Sequence, residues 1–375
     1  MPKPAFELHA ANVIPYLMAR GVLGGMEVLD APDLEVEDRS RRNRNLRITF
    51  GDGTGLLVKQ AKSAEGDATA REAMILRSLE QDHRFARAWP SLPALVDFDP
   101  EQRVIVTRLI HPATTLTKYH LNLGDVQFSA SAGLITGALL GDLHGARGPV
   151  AASAPRPDPA AERPLALRMM TAALEAGVSS REVTHEFLDA LEETGVLALL
   201  PALTSLWQER DDLVHGDIRW DNVLVTPADD EREFATRLID WELALVGDQA
   251  YDVACYLAEY ARFSLVVAGA RNLVAAQDVH ETLRAIRPAE NARAFLDAYA
   301  AARGLTPAQR REHERRAARY VPTILAMIAW EQSSIRMMRP GERTNLMGEV
   351  ALAWCRDAVR DPAAWMRGAL GVALE

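Results

Sequence analysis

The chain has 375 residues, 48% of them apolar and 25% charged, and a net charge of −10. That length exceeds one small core and suits two lobes or domains. The apolar fraction excludes general disorder, and the acidic balance argues against a nucleic-acid binder, which carries a basic surface.

The N-terminal stretch "MPKPAFELHAANVIPYLMARG" lacks the apolar core of a signal peptide. No apolar run is read as reaching the roughly 20 residues that span a bilayer. Short strands come first: Leu34 to Asp38, Asn45 to Phe50 and Gly55 to Ala61, the last two separated by "GDGTG", a hairpin turn signal. A helix follows from an N-cap candidate at Asp67, with Ala73, Leu76 and Leu79 near one face. Then "LPALVDFDPEQRVIVTRLI" places two strands around the turn "DPEQ".

Beyond about residue 125 the pattern is helical. "VQFSASAGLITGALLGDLHGA" reads as one long apolar helix. The stretch 147–164, rich in Pro and Ala, resists regular structure and reads as a mobile surface loop. One strand pair interrupts the helices, "NVLVT" and "TRLIDW", around the acidic turn "PADDEREFA". After Tyr251 the pattern is almost wholly amphipathic helix. Cys255 and Cys355 have no metal or disulfide spacing and read as buried thiols of a reducing compartment. The chain is therefore expected to be cytoplasmic, with neither membrane nor nucleic acid as a partner.

The polar loop "LVHGDIRWDNVLV" enters the strand pair between two apolar flanks. Asp217 and Asn222 lie five positions apart on it, and Asp240 ends the second strand. Asn and Asp oxygens suit Mg²⁺, which keeps waters and substrate phosphates as its other ligands. A separate Asp can take a proton from an attacking hydroxyl. Lys59 ends a strand and Glu72 lies on the next helix, in the order expected of a phosphate-holding ion pair.

"LLVKQ", "REAMILRSL", "HGDIRWDN", "LIDWE" and "GDQAYDVA" resemble, in that order along the chain, motifs of the aminoglycoside phosphotransferase and choline kinase families, relatives of protein kinases. The resemblance implies an α+β, bilobal, protein-kinase-like fold. Residues 1–110 would form a small antiparallel-sheet lobe that binds nucleotide, and 111–375 a larger helical lobe with the catalytic loop. It implies that Asp217 is the catalytic base, that Asn222 and Asp240 bind Mg²⁺, and that Lys59 contacts the phosphates of ATP with Glu72 holding it. His215 is expected to brace the loop, and Asp248 and Asp252 to cap helices and tie the loop down. Two departures stand out. No Gly-x-Gly-x-x-Gly joins the first two strands, where "RSRRNRN" stands instead. Arg219 occupies a place where His is common, either offsetting charge on the transferred phosphoryl group or pairing with a carboxylate. Trp220 is read as core packing or as a wall of the acceptor cleft.

The expected activity is ATP-dependent transfer of the γ-phosphoryl group to a hydroxyl of a small molecule: an antibiotic, an amino alcohol or a sugar. One alternative is a peptide Ser/Thr kinase in a modified-peptide pathway, with the arginine-rich connection positioning the peptide. The other is a pseudokinase scaffold, which predicts loss of at least one of Lys59, Asp217, Asn222 and Asp240.

Overall fold

Strands expected from the first third pair as one antiparallel sheet in a computed structural model of the chain. The structure describes every residue except 1–5, 32, 41–42, 63–67, 124–127, 147–162, 176–184, 229–233, 274, 286–287, 336–345 and 373–375. Asp67, Arg41, Arg42, most of the 147–164 stretch and the centre of the acidic turn thus lie outside the described residues.

Two helices the sequence reading did not anticipate open the chain, α1 (Val13–Ala19) and α2 (Gly25–Leu29). They are followed by β1 (Glu35–Asp38), β2 (Arg44–Thr49), β3 (Gly55–Gln60), α3 (Ala68–Gln81), β4 (Leu95–Asp99) and β5 (Val104–Arg108). The sheet order is β1-β2-β3-β5-β4, so β3 is central, and all its residues but Leu57 are buried. Leu8, Val13 and Leu17 pack with Leu46, Ile48, Leu56 and Val58 of the sheet. Glu72, Ala73, Leu76 and Leu79 line the buried side of α3, which packs on β4 and β5. Covering elements of this kind let central strands read as continuous apolar runs rather than alternating ones.

From β6 (Thr114–Thr115) the chain runs into helices: α4 (Leu116–Asn122), α5 (Ala130–Gly145), α6 (Leu165–Glu175), α7 (His185–Thr194) and α8 (Leu200–Gln208). Ser129 caps α5 through its hydroxyl, so the helix starts later than the apolar run suggests. Then come β7 (Asp212–Val214), the hairpin β8 (Val223–Thr226) and β9 (Ala235–Leu238), and β10 (Leu245–Gly247), which pairs with β7. Helices complete the chain: α9 (Ala250–Ala270), α10 (Ala276–Ala285), α11 (Ala289–Ala302), α12 (Pro307–Ile335), α13 (Leu346–Arg360) and α14 (Pro362–Leu370).

The chain divides into two compact units, Met1–Thr114 with Leu224–Ala244, and Thr115–Val223 with Leu245–Glu375. The sequence reading placed the division at residue 110 and kept the hairpin in the helical lobe. The hairpin joins the first unit because the turn Trp241–Leu243 packs on α3 and β9 packs on the turn Trp89–Ser91.

In the second unit α5 and α11 meet along glycines. A Cβ at Gly133 would lie 2.3 Å from the Asn291 carbonyl oxygen, and one at Gly137 would lie 2.2 Å from that of Phe295. At Gly141 it would lie 2.7 Å from the Tyr299 carbonyl oxygen. No side chain fits such approaches, so the 133/137/141 spacing lets two helix backbones touch. Among the described residues α9 is the one helix long and apolar enough to cross a membrane, longer than any run the sequence reading admitted. Most of its apolar stretch, 83%, is buried inside the structure, as in a core helix.

Candidate active site

In the first unit, the end of β3, the buried side of α3 and the turn after β9 bring four charged groups together. Lys59 Nζ lies 2.8 Å from Glu72 Oε2, 2.5 Å from Asp240 Oδ1 and 3.7 Å from Glu242 Oε2. Burial alone would lower the Lys59 pKa, but these three carboxylates hold it above the ordinary lysine value. Burial, with Asp240 and Glu242 adding to it, raises that of Glu72 despite Lys59. One ammonium among three carboxylates leaves an excess of negative charge.

Local structure fixes each partner. Glu72 Oε1 accepts the Trp241 backbone N–H at 3.4 Å, and Glu242 accepts from Asn43 Nδ2 at 2.8 Å. Asp240 has φ +67°, a left-handed conformation that Asp tolerates better than most residues, here imposed at the end of β9. Oxygens of Glu72, Asp240 and Glu242 lie within 4.8 Å of one another, a donor set suited to a hard cation. The Asp240 side chain is 34% exposed, against 5% for Glu72 and 13% for Glu242. Asp240 is therefore the member with room for a cation that keeps waters and phosphates. Glu242, two residues after Asp240 in "LIDWE", is a further member of this cluster, and that spacing is its only mark in the sequence.

In the second unit, the loop after β7 holds Asp217. Asn222 Nδ2 donates to Asp217 Oδ2 at 2.8 Å and to the Asp217 carbonyl at 3.0 Å. With its amide nitrogen so engaged, Asn222 keeps its Oδ1 as an acceptor, which fits a cation ligand. Asp252 pins the loop by accepting the backbone N–H groups of His215 at 2.7 Å and Gly216 at 2.9 Å. Gly216 has φ +80°, which a side chain would strain. His215 is fully buried, and its Nδ1 accepts the Asp217 N–H at 3.3 Å. Asp248 accepts the Ala250 N–H at the start of α9 and bonds Arg316 and Tyr320.

Arg219 is engaged rather than free: its guanidinium lies 3.3 and 3.4 Å from the two oxygens of Glu331. Arg262 joins Glu331 to Glu259, 2.5 Å away, and Glu259 accepts the Trp220 N–H at 3.0 Å. Burial would lower the Arg262 pKa, but both carboxylates hold it above the ordinary value. Trp220 is 1% exposed and packs edge-on or tilted against His120, Phe128, Tyr260 and Phe263. Of its two expected roles, the structure gives it core packing. Glu259, Arg262 and Glu331 have no local motif to mark them, since Glu259 meets Trp220 from 39 positions away and Glu331 meets Arg219 from 112.

Arg39 after β1, and Arg44 and Arg47 on β2, have partners inside the first unit; Arg41 and Arg42 lie outside the described residues. Arg39 pairs with Glu37 at 2.6 Å, Arg44 with Glu7, and Arg47 with His111 Nδ1 at 2.8 Å.

Residues 36–313 match the profile of a family described as the phosphotransferase enzyme family. Choline kinase from Cryptosporidium parvum Iowa II superposes with a TM-score of 0.58 at 12% identity, over 93% of this chain and 95% of that one. Choline kinase LicA from Streptococcus pneumoniae gives 0.53 at 14% identity, over 94% and 99%. The ternary complex of streptomycin, ATP and APH(2″)-IIa gives 0.51 at 14% identity, over 93% and 97%. At these identities the likeness is one of fold. No curated protein matches significantly by sequence.

Proposed function

Given that the chain belongs to the phosphotransferase enzyme family, we propose that it transfers the γ-phosphoryl group of ATP to a hydroxyl of a small molecule. Carrying this reading is the Asp217 carboxylate, oriented by Asn222 on a loop whose backbone is pinned by Asp252. Asp217 accepts the proton of the acceptor hydroxyl as its oxygen attacks the γ-phosphorus, and the bond to the β-phosphate oxygen breaks. Lys59, held by Glu72, binds the nucleotide phosphates. Asp240 and Asn222 are the residues that would hold Mg²⁺, which when bound neutralises phosphate charge. Arg219 has a positioning role, since Glu331 fixes its guanidinium beside the loop. ATP as donor is supported by the nucleotide named in the streptomycin complex.

A small-molecule acceptor is supported by the family and by the choline and streptomycin named for the neighbours. The peptide alternative is not favoured: Arg39, Arg44 and Arg47 are engaged within their own unit, and the neighbours are named for small-molecule acceptors. A scaffold without activity is not favoured either, since Lys59, Asp217, Asn222 and Asp240 are all retained. Two buried, unpaired thiols support a reducing, cytoplasmic setting.

Turnover of ATP with pooled hydroxyl metabolites tests the reading. The native protein is expected to consume ATP with a subset of the pool. Asp217→Asn should keep nucleotide binding and lose about 10²–10⁴-fold in kcat, the usual contribution of a general base. Near-native turnover by folded Asp217→Asn would refute the base assignment, and turnover with pooled peptides alone would refute the acceptor class.

A further inference from the structure

On the second unit a cavity of about 610 Å³ opens among the segment between α8 and β7, the start of α9 and the first turns of α12. It contains none of the residues assigned to phosphoryl transfer, and its size suits a small molecule. Arg210, Asp212, Gln249, Arg303, Ala308 and His313 are on its wall.

Some charges of this wall are engaged, and those left over are of both signs. Arg316 is engaged with Asp248 at 2.8 Å and Glu209 at 2.7 Å, and Glu312 is engaged with Arg315 at 2.9 Å. Arg210, Arg303, Asp211 and Asp212 have no oppositely charged side-chain partner among the described residues. Arg303 instead donates to the Tyr299 hydroxyl at 3.1 Å. Two polar atoms of the wall are also buried without a hydrogen-bond partner among the described residues, Gln249 Oε1 and His313 Nε2. Gln249 is 2% exposed, and its Nε2 already donates to the Leu213 carbonyl, so Oε1 is an acceptor lacking a donor. Burial depresses the His313 pKa, and the positive charges of Arg303, Arg316 and Arg210 depress it further.

We propose that this cavity binds a small zwitterion, in the simplest case an α-amino acid, with its carboxylate on Arg303 and its ammonium on Asp212 and Gln249 Oε1. A simple anion would leave Asp212 and Gln249 unanswered. A simple cation would face Arg303 and Arg210. Only a ligand with both charges meets both signs.

The site is wired to the catalytic loop. Arg303 bonds Tyr299, whose hydroxyl lies 3.0 Å from His144 Nδ1. His144 Nε2 lies 3.2 Å from Asp252 Oδ2, the oxygen that accepts the His215 N–H, and Asp252 Oδ1 accepts that of Gly216. Tyr299, His144 and Asp252 are at most 2% exposed. A carboxylate that claims Arg303 alters one end of this buried chain, whose other end holds the backbone beside Asp217.

Isothermal titration of the full chain with individual common α-amino acids, and with acetate and methylammonium as one-charge probes, tests the site. At least one amino acid is expected to bind saturably, with both one-charge probes about tenfold or more weaker, as loss of a charge-assisted contact implies. Arg303→Gln should weaken binding by a similar factor. So should Ala308→Trp, which fills the cavity from an exposed position on α12, with circular dichroism confirming that each variant is folded. Absence of amino-acid binding, equal binding of a one-charge probe, or unchanged affinity in either folded variant overturns the site. Binding is expected to change the ATP turnover of the native protein, and Tyr299→Phe should retain binding but lose that change. An effect that persists in Tyr299→Phe, or none in the native protein, overturns the wiring. Only the turnover readout rests on the phosphotransferase reading, so the binding isotherm separates failure of this site from failure of that activity.

Discussion

Lys59 sits among more negative charge than it can neutralise, and this makes its neighbours unequal. Removing Glu72 leaves the ammonium with Asp240 and Glu242, whereas removing Lys59 leaves three carboxylates facing one another. Lys59→Met is therefore expected to cost about 3–5 kcal/mol, as for a broken buried pair, and Glu72→Gln distinctly less. Urea unfolding of both variants checks this order, and a larger loss in Glu72→Gln would contradict it. At this scale the sequence was informative wherever a residue sits in a short motif. Lys59, Glu72, Asp217, Asn222 and Asp240 could all be named from local order. The partner of Arg219 could not: Glu331 is 112 positions away, and nothing near it announces the contact.

Elements were legible where a pattern repeats along one strand or helix, and opaque where their meaning depends on a neighbour. Leu46 and Ile48 alternate visibly along β2, whereas the glycines of α5 look like indifferent members of an apolar run until α11 is set against them. Gly137→Ala is expected to destabilise the protein by about 1–3 kcal/mol, because a methyl group there drives the helices apart. The same change at Gly145, where a Cβ meets nothing within 4 Å, serves as the control in thermal unfolding. At the end of β4, burial would raise the Asp99 pKa. The Gln102 N–H, the Tyr16 hydroxyl, Arg20 and the Glu101 N–H together pull it below the ordinary value. A carboxylate with a lowered folded pKa stabilises fully above its unfolded value, about 3.9. That contribution is lost as pH falls through the lower folded value. Asp99→Asn should thus reduce stability at neutral pH and flatten its decline below about pH 4, as read by urea midpoints across pH.

For the whole molecule, the α+β class and the sequence of sheet before helices were readable, because periodicity switches from 2 to 3.6 along the chain. The cover that α1 provides for the sheet was not, since Val13 and Leu17, with Leu8 before the helix, meet strand partners through long-range packing alone. The same burial governs the two thiols. Cys255 is pushed well above the ordinary thiol pKa by burial first and Asp252 next, and burial pushes Cys355 up to about 12. Almost no thiolate is present near neutral pH, and thiolate is the reactive form. Neither cysteine should react with iodoacetamide in the native protein within minutes, and both should react in denaturant. Mass spectrometry of the alkylated protein reads this directly, and fast native labelling of either would contradict the burial.

The first unit is assembled from two pieces of chain, and a ribosome makes them at different times. Residues up to Thr114 emerge first, and the hairpin beginning at Leu224 follows after the whole run from α4 to β7. At typical synthesis rates that interval lasts on the order of 5–20 s. During it β3 and α3 can already bring Lys59 and Glu72 together, while Asp240, 181 positions beyond Lys59, does not yet exist. The side of α3 that will hold the turn Trp241–Leu243 spends those seconds uncovered. The nascent chain therefore carries a passing hydrophobic liability that the finished protein does not show, and chaperones have a timed reason to engage it.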